Sequence, residues 1–173
     1  FGEFETINPQ TKYRIVRLGN VIYSADSVLE KWKDKIQNNE EVIITEPQAT
    51  RFFMTKEHSV DMIFNCLEKS KDSTPYFEDM KSTSMGNLLQ AMSNKYLQEG
   101  SELLVNEIGL QPNENLHERI TEGGLYTNEI EQYTIEELEE ECENVLGTPY
   151  GHNIISLICN VVDERFGEDE ADR

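Results

Sequence analysis

The sequence predicts an α/β fold. Short β-prone runs alternate along the chain with segments whose apolar residues recur at helical spacing. The joints between them carry turn or helix-capping residues, and no internal repeat or low-complexity linker interrupts the order.

The elements follow in order. Tyr13-Arg14-Ile15-Val16-Arg17-Leu18 is a β-prone run ended by the turn pair Gly19-Asn20. Asp26 is placed to cap a helix whose Val28, Leu29, Trp32 and Ile36 share one face, and Asn38-Asn39 ends it. Val42 to Thr45 is the next strand, closed by Glu46-Pro47, and Arg51 to Met54 is extended and apolar. Thr55 caps a helix with Val60, Ile63, Phe64 and Leu67 as its buried stripe. Tyr76-Phe77-Glu78 reads as a strand, and Ser84 precedes a helix with Met85, Leu88, Leu89 and Met92 inward. Glu102 to Val105 is another strand-like run, followed by a loop through Pro112.

The last third changes character. Thr134 and Glu137 form a capping box for a helix dense in Glu, with Ile135, Leu138, Cys142, Val145 and Leu146 as its apolar positions. Such a charge run is ordinarily a solvated helix face. Gly147 and Pro149 stop it. A final helix with Ile154, Ile155, Leu157, Ile158, Val161 and Val162 has an apolar band wide enough to require burial, either in this domain or against a second chain. Residues 168–173 read as an acidic tail.

Composition limits function. The chain has 173 residues, 15 Lys and Arg against 34 Asp and Glu, and a formal net charge of −19. That balance argues against a nucleic-acid partner and against a polybasic membrane anchor. No stretch is apolar for long enough to span a bilayer, and the start has no basic segment followed by an apolar one. Three widely spaced cysteines (Cys66, Cys142, Cys159) have neither zinc-knot nor disulfide-framework spacing and read as buried thiols of a cytoplasmic protein. Neither a P-loop, a GxGxxG turn, an HExxH pair nor a G-x-S-x-G elbow is present.

Two places still offer chemistry. Arg17 to Val21, with Ser24 and Ser27 beyond, lies where an α/β sheet binds ligands, outside the carboxyl end of a strand. Asn20, Ser24 and Ser27 there supply neutral donors and acceptors for sugar hydroxyls, although Asn for a tight bend and Ser for a helix cap are equally served. Thr50-Arg51-Phe52-Phe53-Met54-Thr55 sets a guanidinium among aromatics, suited to a pyrophosphate or to a structural ion pair with a carboxylate.

Taken together, these segments resemble the C-terminal half of extended short-chain dehydrogenase/reductases acting on nucleotide sugars, in particular the inverting UDP-N-acetylglucosamine 4,6-dehydratases and related polysaccharide-biosynthesis proteins. Arg17-Leu18-Gly19-Asn20-Val21 is similar to that family's R-Y-G-N-V, and residues 42–55 (VIITEPQATRFFMT) to its V-x-I-T-x-P-x-M-T-R-F-F-M-T. Glu57 to Asp61 resembles its E-A-V-D helix, and Ile108 to Glu118 its I-G-I-R-P-G-E-K-L-H-E.

The resemblance implies the C-terminal part of a Rossmann-type fold, with residues 1–120 the substrate-binding portion, 121–167 an acidic and apolar helical extension and 168–173 the tail. It implies a UDP-sugar as substrate, NADP held by an N-terminal Rossmann half that this stretch lacks, and a homo-oligomer. The catalytic Tyr and Lys of the family lie upstream, residues 1–10 resembling the tail of the helix that carries them. This stretch alone is therefore expected to bind no cofactor and to catalyse no turnover. Carried over residue by residue, Asn20 lies by the sugar, Ser24 and Ser27 wrap the UDP-sugar, Arg51 pairs with the pyrophosphate and Glu118 sits in the closing loop. Three family cations are absent: S-R-G-S is here Ser24-Ala25-Asp26-Ser27, and the Arg and Lys of R-P-G-E-K are Gln111 and Asn115. The alternative expectation is a noncatalytic interaction or regulatory subunit derived from the family.

Overall fold

The computed structural model describes residues 7, 10–24 and 27–144. Their order is β1 (Asn20–Val21), α1 (Val28–Gln37), β2 (Val42–Ile44), β3 (Thr50–Met54), α2 (Lys56–Lys69), β4 (Lys81–Ser84), α3 (Met85–Tyr96), β5 (Val105–Glu107) and α4 (Ile135–Asn144). The α/β class is as expected. The Asp26 cap, the final helix, the acidic tail, Cys159 and most of the segment before Thr11 lie outside the described residues.

The chain divides into two compact units. Among the described residues, one takes 19–54 and 80–144, the other those up to 18 and 55–79.

In the first unit β3 is the central strand, parallel to β1 and antiparallel to β4. All of its residues are buried, as a strand with neighbours on both edges requires. Gly19 makes the approach of β1 possible: a Cβ there would stand 2.9 Å from Phe52 Cβ and 3.2 Å from its carbonyl oxygen. Asn20 is thereby brought opposite Phe53. A second, two-stranded sheet pairs β2 with β5 in parallel.

The core of this unit gathers Leu29, Trp32 and Ile36 of α1 with Val42 and Ile44 of β2, and Leu88 and Met92 of α3 with Leu138 and Cys142 of α4. The spacing of these apolar residues turns one face of each helix inward, and burying each large side chain contributes on the order of 1.5–3 kcal/mol. Trp32 Nε1 donates to the Ile43 carbonyl at 3.0 Å, which satisfies the indole while it is buried. Asn38 is the C-cap of α1, and Asn39 follows in the left-handed region at φ 54°. The expected capping box of α4 is formed in both directions: Thr134 Oγ1 accepts from the Glu137 backbone N–H at 3.1 Å, and Glu137 Oε2 from that of Thr134 at 2.9 Å.

In the second unit Thr55 caps α2 by accepting from the His58 backbone N–H at 3.1 Å. Val60 and Phe64 are buried as expected, with Met62 and Cys66, whereas Leu67 is 60% exposed. Ile63 is only half-buried, so the buried stripe departs from the expected one by one residue at two places, with Met62 for Ile63 and Cys66 for Leu67.

Three expected strands differ. Tyr13 to Leu18 and Tyr76 to Glu78 meet only at one parallel bridge, Val16 with Tyr76, through Arg17 N to Tyr76 O and Tyr76 N to Ile15 O, both 2.8 Å. A strand needs a partner of matching length, and β propensity alone does not supply one. The Glu102 to Val105 run is shifted to Val105–Glu107, because pairing with β2 sets its register at Val42 opposite Val105. β4, a polar Lys-Ser-Thr-Ser run, has no apolar alternation to announce it and exists through its ladder with β3.

Candidate functional site

A cavity of about 280 Å³ opens in the first unit, and Asn20, Ser24, Ser27, Arg51 and Glu118 all line it. Glu114, not singled out from the sequence as a site residue, lines it as well. The residues arrive from three places: the end of β1 and the turn after it, the central strand β3, and the loop beyond β5.

The β1 side is built by backbone constraint. The Ile22 N–H donates to the Met54 carbonyl at 2.9 Å, after which Tyr23 takes φ 53° and turns the chain. The strain of a non-glycine residue there is offset by the buried Tyr23 side chain, whose hydroxyl lies 2.9 Å from that of Tyr96. Burial, first, and this hydrogen bond push the Tyr23 phenol well above its ordinary range, so it stays neutral. Asn20 Nδ2 donates to the Phe52 carbonyl at 3.0 Å, leaving its oxygen as an acceptor. Ser27 is the N-cap residue of α1 but forms no side-chain cap. Its Oγ is buried and has no hydrogen-bond partner among the described residues. An orphaned buried hydroxyl costs about 1–3 kcal/mol, and in a cavity lining it marks a place where a ligand polar group is welcome.

Arg51 is the charged centre. Its Nη1 donates to the carbonyls of Thr50 at 2.9 Å and Leu116 at 3.2 Å. Nη2 donates to Glu114 Oε1 at 2.9 Å, and Nε lies 3.3 Å from Glu118 Oε1. The ion-pair alternative left open by the sequence is therefore realised, with both carboxylates inside the cavity. Glu114 titrates below the ordinary range of its type: the Gln111 backbone N–H leads, helped by the Thr45 hydroxyl and by Arg51. Glu118 moves the other way, raised by burial and by the Glu114 charge against the opposing pull of Arg51.

The loop that carries both carboxylates is tied to β3. The Thr50 backbone N–H donates to the Leu116 carbonyl at 2.9 Å, and the Thr50 hydroxyl lies 2.8 Å from His117 Nδ1. Thr127, fully buried, accepts the Glu118 backbone N–H at 2.9 Å through Oγ1 and returns its own N–H to the Glu118 carbonyl at 2.8 Å. Nothing in the spacing of Thr127 identifies it, because its partners lie 9 and 77 residues away. Glu114 had a signal, its place in the string Ile108 to Glu118. Among the described residues no group of His, Cys, Asp and Glu is arranged to hold a metal ion, and no helix is long and apolar enough to cross a membrane.

Comparison with known proteins agrees with this architecture. An uncharacterized membrane protein of Methanocaldococcus jannaschii is 28% identical over 164 residues, covering 91% of this chain and 46% of that protein. An inverting UDP-N-acetylglucosamine 4,6-dehydratase of Campylobacter jejuni is 29% identical over 129 residues, 73% of this chain and 36% of the enzyme. The chain thus spans less than half the length of either relative. Among solved structures, Pen from Bacillus thuringiensis superposes with a TM-score of 0.71 at 20% identity, covering 83% of this chain and 52% of that one, a likeness of fold. The family profile described as polysaccharide biosynthesis protein matches residues 3–163. With that match running over nearly the whole chain, and with the fold it superposes on, the chain belongs to the polysaccharide biosynthesis protein family of extended short-chain dehydrogenase/reductases.

Proposed function

We propose that this chain supplies the nucleotide-sugar-binding part of a 4,6-dehydratase of the UDP-N-acetylglucosamine type, in glycan or surface-polysaccharide precursor synthesis, working with NADP in the cytoplasm as an oligomer. The observation that carries the reading is convergence. Asn20, Ser24, Ser27, Arg51 and Glu118, nominated from separate segments, line one cavity. Its volume is at the small end for ligand sites, which suits part of a UDP-sugar, the remainder being covered by an N-terminal Rossmann half. In this reading residues 1–120 are the substrate-binding portion and 121–167 an extension.

The described residues do not fit the dinucleotide: no glycine-rich turn among them joins a strand to a helix N-terminus. Their part is binding and orientation. Arg51 offers its guanidinium to the diphosphate, Asn20 and Ser24 offer neutral hydrogen bonds to hydroxyls, and the unpartnered Ser27 Oγ gains a partner when the ligand enters.

A second reading, a noncatalytic interaction or regulatory subunit, is favoured by one observation. Among the described residues, the cavity lining sets one cation against two carboxylates, with Gln111 and Asn115 where the family resemblance expects cations. Titration calorimetry with UDP-N-acetylglucosamine separates the two. Micromolar binding by the complete protein, its Rossmann half included, that Arg51→Ala abolishes supports the nucleotide-sugar reading; absence of binding by that complete protein sinks it.

A further inference from the structure

The two carboxylates facing Arg51 are held unequally. Glu114 is anchored on three sides: its Oε1 accepts from Thr45 Oγ1 at 3.0 Å and from Arg51 Nη2 at 2.9 Å, and its Oε2 accepts the Gln111 backbone N–H at 3.0 Å. The Glu118 carboxylate has one described contact, the 3.3 Å approach to Arg51 Nε, which is long for a charge-assisted bond. Its side chain remains 40% exposed.

The guanidinium is otherwise engaged. Nη1 is spent on two backbone carbonyls. The fork that binds a carboxylate or phosphate in bidentate fashion, Nε with Nη2, is divided between Glu118 and Glu114. An anion entering the cavity can reach the Nε prong only where Glu118 now stands.

We propose that Glu118 is a displaceable stand-in for a ligand phosphate at Arg51, so that an anionic ligand binds by exchanging with it. The proposal rests on the nucleotide-sugar reading of the cavity and adds the rule by which the ligand is admitted. Among the described residues, the charged groups facing Glu118 are Arg51 from β3 and Glu114 from its own loop; His117 of that loop turns its Nδ1 to Thr50. Exchange removes the pull of Arg51 and adds a second negative neighbour, and both changes favour the protonated carboxyl. Tethered by its own loop, the displaced carboxyl stays beside the cavity next to Glu114 and the incoming phosphate, so it draws in a proton and binding strengthens as pH falls.

The test is calorimetry on the complete protein, its Rossmann half included, with UDP-N-acetylglucosamine, whose esterified diphosphate does not titrate in the range used. Titrations at about pH 7 and about pH 5.5, each in two buffers of different ionisation enthalpy, count the protons taken up. The expected result is proton uptake on binding by the native chain and an affinity several-fold higher at the lower pH. Glu118→Gln is expected to bind about tenfold tighter at neutral pH, without uptake. Should Glu118→Gln fail to fold, Glu118→Asp, expected to retain uptake, and the native proton count still decide. Binding without proton uptake and with an affinity unchanged in Glu118→Gln overturns the exchange alone. No binding by either folded protein at either pH overturns the nucleotide-sugar reading and the exchange with it.

Discussion

The hydroxyls of Thr50 and Thr127 lie 2.6 Å apart, although 77 residues separate them in sequence. One belongs to the central strand and the other to the segment that closes over it, so this contact holds the Glu118 loop against β3. Thr127 Oγ1 also lies 3.1 Å from the Thr50 carbonyl while accepting the Glu118 N–H. One buried hydroxyl therefore serves the Glu118 N–H, the Thr50 hydroxyl and the Thr50 carbonyl at once.

Thr127→Val keeps the shape of the side chain and removes the hydroxyl. It leaves the Glu118 N–H without its acceptor in a half-buried place and the Thr50 hydroxyl short of a buried partner, at a cost of about 1–3 kcal/mol. Urea denaturation of Thr127→Val should show that loss and Thr127→Ser should recover most of it. Equal stability of Thr127→Val and the native chain would contradict the role assigned to the hydroxyl.

Gly19→Ala tests the approach of β1 to β3. The added Cβ meets Phe52 Cβ at 2.9 Å, closer than that neighbour tolerates, and Met80 Sδ at 3.1 Å and the Phe52 carbonyl oxygen at 3.2 Å, which must give way slightly. Methionine can yield, but the β3 backbone beside it cannot, and overpacking of this kind costs roughly 1–3 kcal/mol. A melting temperature lowered by several degrees is expected. No shift would mean that β1 and β3 part without penalty.

The α4 capping box carries a pH signature. Lys81 Nζ lies 2.7 Å from Glu137 Oε1, and this ion pair, followed by the Thr134 N–H, holds the Glu137 carboxyl below its ordinary range. A carboxyl depressed in the folded state adds stability above its unfolded value and loses it as pH falls through the folded one. Glu137→Gln should accordingly flatten the acid side of the stability profile. Thr134→Ala, which removes only the cap, should lower stability by about 1 kcal/mol with the acid side unchanged. Parallel profiles for Glu137→Gln and the native chain would refute the assignment.

Much of the fold was legible because it is local. Thr55 and Ser84 as helix caps, the capping box of Thr134 and Glu137, and the inward faces of α1 and α3 each follow from residues within a turn or two of one another. The strands were less legible, since Tyr13 to Leu18 and the Lys81–Ser84 ladder differ in their partners rather than in their own composition. In the site, Arg51 and Glu118 stand in recognisable strings, whereas Thr127 is a lone threonine in a polar stretch.

By itself the sequence determined the α/β class, the helices with their caps, and which short strings carry polar groups fit for a sugar nucleotide. Only the tertiary structure decided that those strings share one cavity, that Arg51 is divided between Glu114 and Glu118, and that Thr127 holds the loop in place. The reason is physical. Periodicity and capping are interactions between near neighbours and are written in adjacent residues. The electrostatic state of a guanidinium depends on which carboxylates the chain returns to it, 63 and 67 residues later in sequence.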